Sequence, residues 1–307
     1  MKEKLVIGTR GSKLALWQAN YIADCLRSRY PGVEVSLKRV MTTGDKILDV
    51  PLARIGGKGL FTKELENEML SGQVDLAVHS LKDMPTELPP GLTLAAITER
   101  VDPGDAFVSL HYQTVDELPQ GARIGTSSLR RKAQLLHYRP DLVISDLRGN
   151  LDTRLQKLET EQLDGIILAV AGLKRLGWQE RITQVLPQAL CLPAVGQGAL
   201  AIETRSDDTE VLAMLEFLNH DQTRAAVTAE RAFLREVEGG CQVPVGVFGQ
   251  AGEQALELEA VILSVDGIQI VRDTICGSWA EAEAMGRNLA QRMLAAGGRE
   301  IMAALEG

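Results

Sequence analysis

Val74-Asp75-Leu76-Ala77-Val78-His79-Ser80-Leu81-Lys82-Asp83-Met84-Pro85-Thr86 reads as an apolar strand, Leu76–His79, that delivers a lysine and an aspartate to a loop closed by Pro85. In open α/β sheets ligands sit beyond the carboxyl ends of strands, so Lys82 and Asp83 stand where such a sheet presents chemistry. Upstream, short apolar runs alternate with helical patterns: strand Leu5–Gly8, helix Lys13–Arg29, strand Glu34–Met41 and helix Lys63–Ser71. This is the rhythm of a parallel βαβ sheet. It restarts downstream with strand Arg123–Gly125, helix Leu129–Tyr138, strand Leu142–Ser145, helix Leu151–Glu161 and strand Gly165–Val170.

The two stretches also share sequence, which predicts two similar lobes facing each other across a cleft. Ile7-Gly8-Thr9-Arg10 corresponds to Ile124-Gly125-Thr126-Ser127, and the segment from Leu76 to Met84 to that from Leu168 to Leu176. In that alignment Asp83 falls opposite Arg175, as a catalytic wall would face a binding wall. From Asn219 onward, helical segments precede strands Val245–Gly249, Leu256–Val265 and Gln269–Ile275, the last two joined at Asp266-Gly267, a strong hairpin signal. An Ala/Leu/Glu/Arg-rich helical tail covers Ser278 to Leu305, so this third region reads as a small α+β unit, helices over an antiparallel sheet.

With 307 residues, 45% hydrophobic and 24% charged, the chain has the composition of a globular protein of two or three domains. A net charge of -8 without a Lys/Arg run argues against nucleic acid as the partner. The four cysteines, Cys25, Cys191, Cys241 and Cys276, show no CxxC spacing and the four histidines form no ligand pattern with them, so no metal site or disulfide framework is expected. Neither a signal peptide nor a membrane span is legible, which points to a reduced, cytoplasmic protein.

Within this acidic chain, cations follow the expected strands: Arg10, Lys82, Arg130, Arg131, Arg148 and Arg175. Ser128 reads as an N-cap, which places Arg130, Arg131 and Lys132 in a first helical turn where the helix dipole disfavours them. Local stability does not account for them; an anion on that N-terminus, with Thr126, Ser127 and Ser128 as further donors, would. Arg10-Gly11-Ser12 repeats the arrangement before Lys13, and Arg148-Gly149-Asn150 precedes a helix with Arg154 in its first turn. Arginine rather than lysine favours planar carboxylate or phosphate groups. Phosphate is poorly supported: Gly56-Gly57-Lys58-Gly59 lacks the Walker A glycine, position 52 being Leu. The span Thr42–Gly59 reads instead as a long loop able to cover the cleft. Finally, Gly239-Gly240-Cys241-Gln242-Val243-Pro244 sets a thiol between flexible and extended residues, exposed and suited to nucleophilic work, whereas Cys25, Cys191 and Cys276 suit the role of small buried hydrophobes.

Six segments, in this order, resemble the signatures of the porphobilinogen deaminase family, and Ile7-Gly8-Thr9-Arg10-Gly11-Ser12 precedes them. They are Gly56-Gly57-Lys58-Gly59-Leu60-Phe61, Val78-His79-Ser80-Leu81-Lys82-Asp83-Met84-Pro85, Gly125-Thr126-Ser127-Ser128-Leu129-Arg130-Arg131, Leu147-Arg148-Gly149-Asn150, Pro193-Ala194-Val195-Gly196-Gln197-Gly198 and Glu238-Gly239-Gly240-Cys241-Gln242-Val243-Pro244. The resemblance implies an α/β fold of two lobes similar to type II periplasmic binding proteins, residues 1–98 with 199–216 and residues 104–193, and a third domain over 219–307. It implies a dipyrromethane cofactor, built from substrate and bound to Cys241 by a thioether, with Lys82, Asp83, Thr126, Ser128, Arg130, Arg131, Arg148 and Gly172 around it. Asp83 is the implied catalytic carboxylate, acting on positive charge and protons at pyrrole nitrogens. Arg10, Ser12, Arg148, Arg154, Arg175 and Gln197 are implied to hold carboxylates of porphobilinogen and the growing chain; Lys58 and Phe61 belong to a lid. The implied reaction is head-to-tail condensation of four porphobilinogen molecules with loss of ammonia, then hydrolytic release of hydroxymethylbilane, by a cytoplasmic monomer that binds neither nucleic acid nor membrane. The competing readings are a two-lobed carboxylate-binding module without chemistry and a cysteine hydrolase; the latter has no histidine obviously placed as a base for Cys241.

Overall fold

A computed structural model describes residues 2–46, 59–237, 243–253 and 255–305. The chain begins with β1 (Lys4–Thr9), α1 (Lys13–Arg29), β2 (Glu34–Arg39), a short α2 (Thr43–Lys46), α3 (Lys63–Leu70), β3 (Leu76–Ser80) and β4 (Leu92–Ile97). It crosses into β5 (Asp105–Val108), β6 (Arg123–Gly125), α4 (Leu129–Tyr138), β7 (Val143–Ser145), α5 (Leu151–Thr160), β8 (Gly165–Ala169), α6 (Val170–Arg175) and β9 (Gln184–Val185). It then returns through β10 (Leu200–Arg205) and α7 (Thr209–Leu215), and ends in α8 (Asp221–Glu236), β11 (Val245–Ala251), β12 (Ala255–Leu263), β13 (Ile270–Ser278), α9 (Ala282–Met293) and α10 (Arg299–Ala303).

The helix α1 shows how composition makes these elements. Ser12 caps it by accepting from the Ala15 N–H, and Ala19, Ile22, Ala23 and Leu26 recur at helical spacing, all fully buried. They pack on Leu5, Ile7, Val78 and Ile202 of the sheet beneath. In the second lobe the period of two along β5 and β8 sends Phe107 and Ile167 into one core and Ala106, Val108, Ile166 and Leu168 into another. Both sheet faces are therefore covered, as parallel strands require.

The parallel βαβ rhythm accounts for β1, β2 and β3 in the first lobe and for β6, β7 and β8 in the second, but not for the whole of either sheet. The strand orders are β2-β1-β3-β10-β4 and β7-β6-β8-β5-β9. In the first, β10 lies antiparallel between β3 and β4; in the second, β5 lies antiparallel between β8 and β9. Each lobe thus closes its sheet with a strand on a chain crossing, entering from the direction opposite to its neighbours. Both crossings are tied to the third unit by Glu230 of α8, whose buried carboxylate accepts from Arg100 Nη2 at 2.7 Å, Gly196 N at 2.7 Å and Gly249 N at 2.8 Å.

The ladders also correct the internal alignment. Ile7 pairs with Leu76, and Ile124 with Gly165. With Ile7 and Ile124 equivalent, Leu76 matches Gly165 rather than Leu168, so Asp83 lies opposite Gly172 and not Arg175. The repeated Leu-Ala-Val tripeptide had drawn the comparison three residues too far along β8.

In the third unit β11, β12 and β13 form an antiparallel sheet, and Gly267 at φ 75° turns the expected hairpin. The helical tail is interrupted at Leu294–Gly298, where Gly297 has φ 111°. Of the three cysteines expected to be buried, Cys191 is, Cys25 is half-buried, and Cys276 is exposed because β13 turns alternate residues to solvent. Among the described residues no helix is long and apolar enough to cross a membrane.

The helices α8 and α9 approach closely at Gly286, where a Cβ would lie 2.1 Å from Ala229 O and 2.9 Å from Phe233 N. Gly286→Ala is expected to force them apart and cost about 1–3 kcal/mol, measured as an earlier urea midpoint.

Candidate functional site

Residues that follow β1, β3, β6 and β8 line one cleft of ≈ 950 Å³ between the lobes. From the first lobe come Arg10 and Ser12, then Lys82 and Asp83. These last two share the single 3-10 turn Leu81–Asp83, anchored by Leu81, which is buried against Met84, Ile97 and Ala201. With Leu81 inward and Met84 held extended before Pro85, the exposed Asp83 points to the cleft. From the second lobe come Ser128, Arg130 and Arg131 at the start of α4, Arg148 and Arg154 around the start of α5, and Gly172 and Arg175 on α6. Gln197 enters from the return crossing, and Val243 and Val245 from the third unit.

The arginine pair on α4 has an internal partner. Asp105, fully buried at the start of β5, accepts from Arg130 Nη1 at 2.6 Å through Oδ2, and from Arg131 Nε at 2.9 Å and Nη2 at 2.7 Å through Oδ1. Arg130 also donates to Leu192 O at 2.8 Å and Arg131 to Ile167 O at 3.0 Å. Local stability alone does not account for these arginines, and Asp105 supplies from within the chain an anion of the kind expected at the start of α4. Burial by itself would raise the Asp105 carboxyl, but the two guanidiniums hold it well below the ordinary carboxylate range. The same group pushes the buried Cys191 thiol, already raised by desolvation, up to about 12. Gln197 extends the network: its Nε2 donates to Asp105 Oδ1 at 2.9 Å, and its Oε1 accepts from Lys82 Nζ at 3.2 Å.

One carboxylate between two arginines leaves positive charge over, and more is added around it. Burial, then the nearby Arg131, lowers the Lys82 amine to about 8. Burial and Arg131 lower Arg154 to about 10, and burial lowers Arg175 to about 10. Arg154 Nε is steered by Gly149 O at 2.8 Å, and Arg175 Nη2 by Gly198 O at 2.7 Å. These carbonyls orient the guanidiniums without neutralising them, so the cleft carries a local excess of positive charge in an acidic protein.

Two matches with known proteins cover most of the chain. The family described as porphobilinogen deaminase, dipyromethane cofactor binding domain, matches residues 5–213, and the porphobilinogen deaminase C-terminal domain matches residues 224–295. The chain belongs to the porphobilinogen deaminase family. Porphobilinogen deaminases of Geotalea daltonii and Geobacter sulfurreducens are 56% and 55% identical to it, each match covering 98% of this chain and 94% of the relative. Among solved structures, the methionine binding protein MetQ is 14% identical with a TM-score of 0.45, over 70% of this chain and 89% of its own.

Set against the family's expected residues, the cleft gathers Arg10, Ser12, Phe61, Lys82, Asp83 and Gln197 with the serine, glycine and arginines of the second lobe. Thr126 is outside it: buried beneath α4, its hydroxyl accepts from Ser128 N at 3.3 Å. Ser12 and Ser128 line the cleft while capping α1 and α4. Lys58 and Cys241 lie outside the described residues. The sequence reading missed Asp105 and Asp45, the latter pairing with Arg10 at 2.5 Å. A lone carboxylate opening the apolar run Ala106-Phe107-Val108 was the available signal for the first.

Asp105→Asn removes the charge that both guanidiniums share, and should destabilise the fold by about 3–5 kcal/mol in urea unfolding at neutral pH. Because the folded-state pKa is depressed, the stabilisation from this carboxylate is complete above its unfolded value, near 3.9, and is lost on acidification below it. The deficit of the variant should accordingly shrink toward strongly acid pH.

Proposed function

We propose that this chain is a hydroxymethylbilane synthase, a transferase that condenses four porphobilinogen molecules head to tail with loss of ammonia and releases the linear tetrapyrrole by hydrolysis. The observation that carries the reading is the cleft's surplus of half-buried, oriented cations beside the exposed Asp83. Each pyrrole of the substrate and of the dipyrromethane cofactor bears an acetate and a propionate, so ligands of this class match that surplus in charge and in planar, bidentate geometry.

The cleft residues fit the cofactor. Arg131 and Arg148, with Lys82 and Ser128, would hold its carboxylates, while Arg130 and Thr126 would act by fixing the α4 terminus. Gly172 leaves room where the first lobe has Asp83: a Cβ there would come within 3.0 Å of Leu151 Cδ1. Cys241 would carry the cofactor through a thioether; the nearest described residue beyond it, Val243, lines the cleft. When bound, the cofactor supplies a nucleophilic pyrrole carbon on which the chain is extended.

Asp83 stabilises positive charge as it develops on a pyrrole nitrogen and accepts or returns its proton, Lys82 beside it keeping a carboxylate arm in place. Arg10, Ser12, Arg148, Arg154, Arg175 and Gln197 receive the side-chain carboxylates of incoming and added units. Lys58 and Phe61 serve as a lid that limits water. The working unit is taken to be a cytoplasmic monomer of three domains, residues 1–98 with 199–216, 104–193 and 219–307, each built around a sheet of its own.

The deciding experiment is intact-mass analysis of the denatured protein with and without porphobilinogen. A dipyrrole adduct that is absent from Cys241→Ser, with transient heavier species on adding substrate, is the expected result; an unmodified chain that still binds substrate would leave only a binding module. In the same assay Asp83→Asn should retain the adduct and lose turnover by roughly 10²-fold or more.

A second expectation concerns pH. The Lys82 ammonium is lost as pH rises through about 8 in the unloaded cleft, so the apparent Kd of the unloaded protein for the cofactor carboxylates should climb above that point. Lys82→Arg, charged throughout, should move the climb to higher pH; an unchanged profile would take Lys82 out of carboxylate binding.

A further inference from the structure

Arg10 is already occupied by a carboxylate of its own chain. Asp45, on α2, accepts from Arg10 Nη2 at 2.5 Å and from Arg10 Nε at 3.2 Å to each oxygen, the two-point geometry by which a guanidinium takes a carboxylate ligand. The Phe61 ring lies over the same guanidinium, its centroid 4.2 Å from Cζ. Arg10, Asp45 and Phe61 all line the cleft, so this contact is made inside the site rather than behind it.

Asp45 and Phe61 belong to one mechanical piece. Gly44 N donates to Leu60 O at 2.8 Å, and a Cβ on Gly44 would overlap Phe61, so the two segments are in close contact. Thr43 N and Oγ1 both donate to Glu64 Oε1, at 2.9 and 2.5 Å, fastening α2 to the first turn of α3. Thr42 Oγ1 donates to Asp45 Oδ2 at 2.7 Å and sets the carboxylate's direction. Burial disfavours the charge on Asp45, yet Arg10 and Thr42 hold its carboxyl below the usual range, so at neutral pH it is a carboxylate. The pair is nevertheless partly open to solvent, with side chains 20% and 22% exposed, so a competing carboxylate can approach it from the cleft.

We propose that Asp45 is a built-in stand-in for a substrate carboxylate: it fills the Arg10 seat between turnovers, and an incoming acetate or propionate arm displaces it together with Phe61. This rests on the reading of Arg10 as a receiver of substrate carboxylates. Its effect is a conformational tax, since porphobilinogen sees only the fraction of molecules in which Arg10 is released, and the apparent affinity falls by that fraction. An aspartate that merely oriented Arg10 for the substrate would have the opposite influence.

The sign of a change in KM therefore decides between the two. With cofactor-loaded enzyme, Asp45→Ala should lower KM for porphobilinogen by roughly three- to tenfold, with kcat changed much less. Asp45→Asn, which keeps the shape and weakens the pairing, should fall between that variant and the native enzyme and serves if the alanine variant folds poorly. In an Arg10→Leu background the Asp45→Ala effect should vanish. A KM that rises or stays level in both Asp45 variants, or an equal fall without Arg10, would overturn the proposal. Arg10→Leu alone separates the two levels of the argument: an unchanged KM there would remove Arg10 from substrate binding, whatever Asp45 does.

Discussion

One aspartate shared by two arginines organises the second lobe. Asp105 is anionic in a place where burial alone would forbid it, and it is anionic because Arg130 and Arg131 converge on it from the first turn of α4. The arrangement reverses the usual relation between a helix N-terminus and charge. Cations are brought to the positive end of a helix, fixed by a single counter-charge, and left in excess. What the fold fails to neutralise is what a polycarboxylate ligand can use. Through Gln197 the same aspartate reaches Lys82 beside Asp83 of the first lobe, so a residue that does no chemistry sets the electrostatics on both walls.

Much of this was legible from sequence because the elements are locally consistent. The helices Lys13–Arg29 and Leu129–Tyr138 begin after serines that do cap them and end where the periodicity ends. The strand-to-loop passage at Ser80–Asp83 was readable because an apolar run, a charged pair and a proline follow one another. Pairings between distant segments were not legible. No local pattern marks β10 or β5 as the antiparallel member of a sheet, since each reads as an ordinary buried strand and its partners are distant in sequence, as Asp105 is from Ala169 and Ala201 from Ile97. The three-residue slip in the lobe alignment has the same origin: similar tripeptides outweighed a ladder that only the structure contains. Arg130 and Arg131 line the cleft, but a counter-ion 25 residues upstream was invisible to an argument confined to one helix.

The cleft also shows how an acidic protein can gather positive charge in one place. Net charge governs encounter at long range, but within the cleft the local count prevails, because buried charges are screened far less than surface ones. Backbone carbonyls of Gly149 and Gly198 aim Arg154 and Arg175 while contributing no formal charge. The guanidiniums are thereby held in position before any ligand arrives, which spares the ordering that flexible lysines would need on binding.

The return of β10 to the first lobe bears on how the chain is made. The second lobe is continuous from β5 to β9, so its sheet can close as soon as residue 185 has left the ribosome. The first lobe is synthesised earlier but stays open between β3 and β4 until β10 arrives, more than a hundred residues after β4. During that interval the inner edges of β3 and β4 are unpaired, the condition under which strands recruit the wrong neighbour. The lobe that bears Asp83 is thus the later of the two to close, and translation pausing before Leu200 would prolong its exposure.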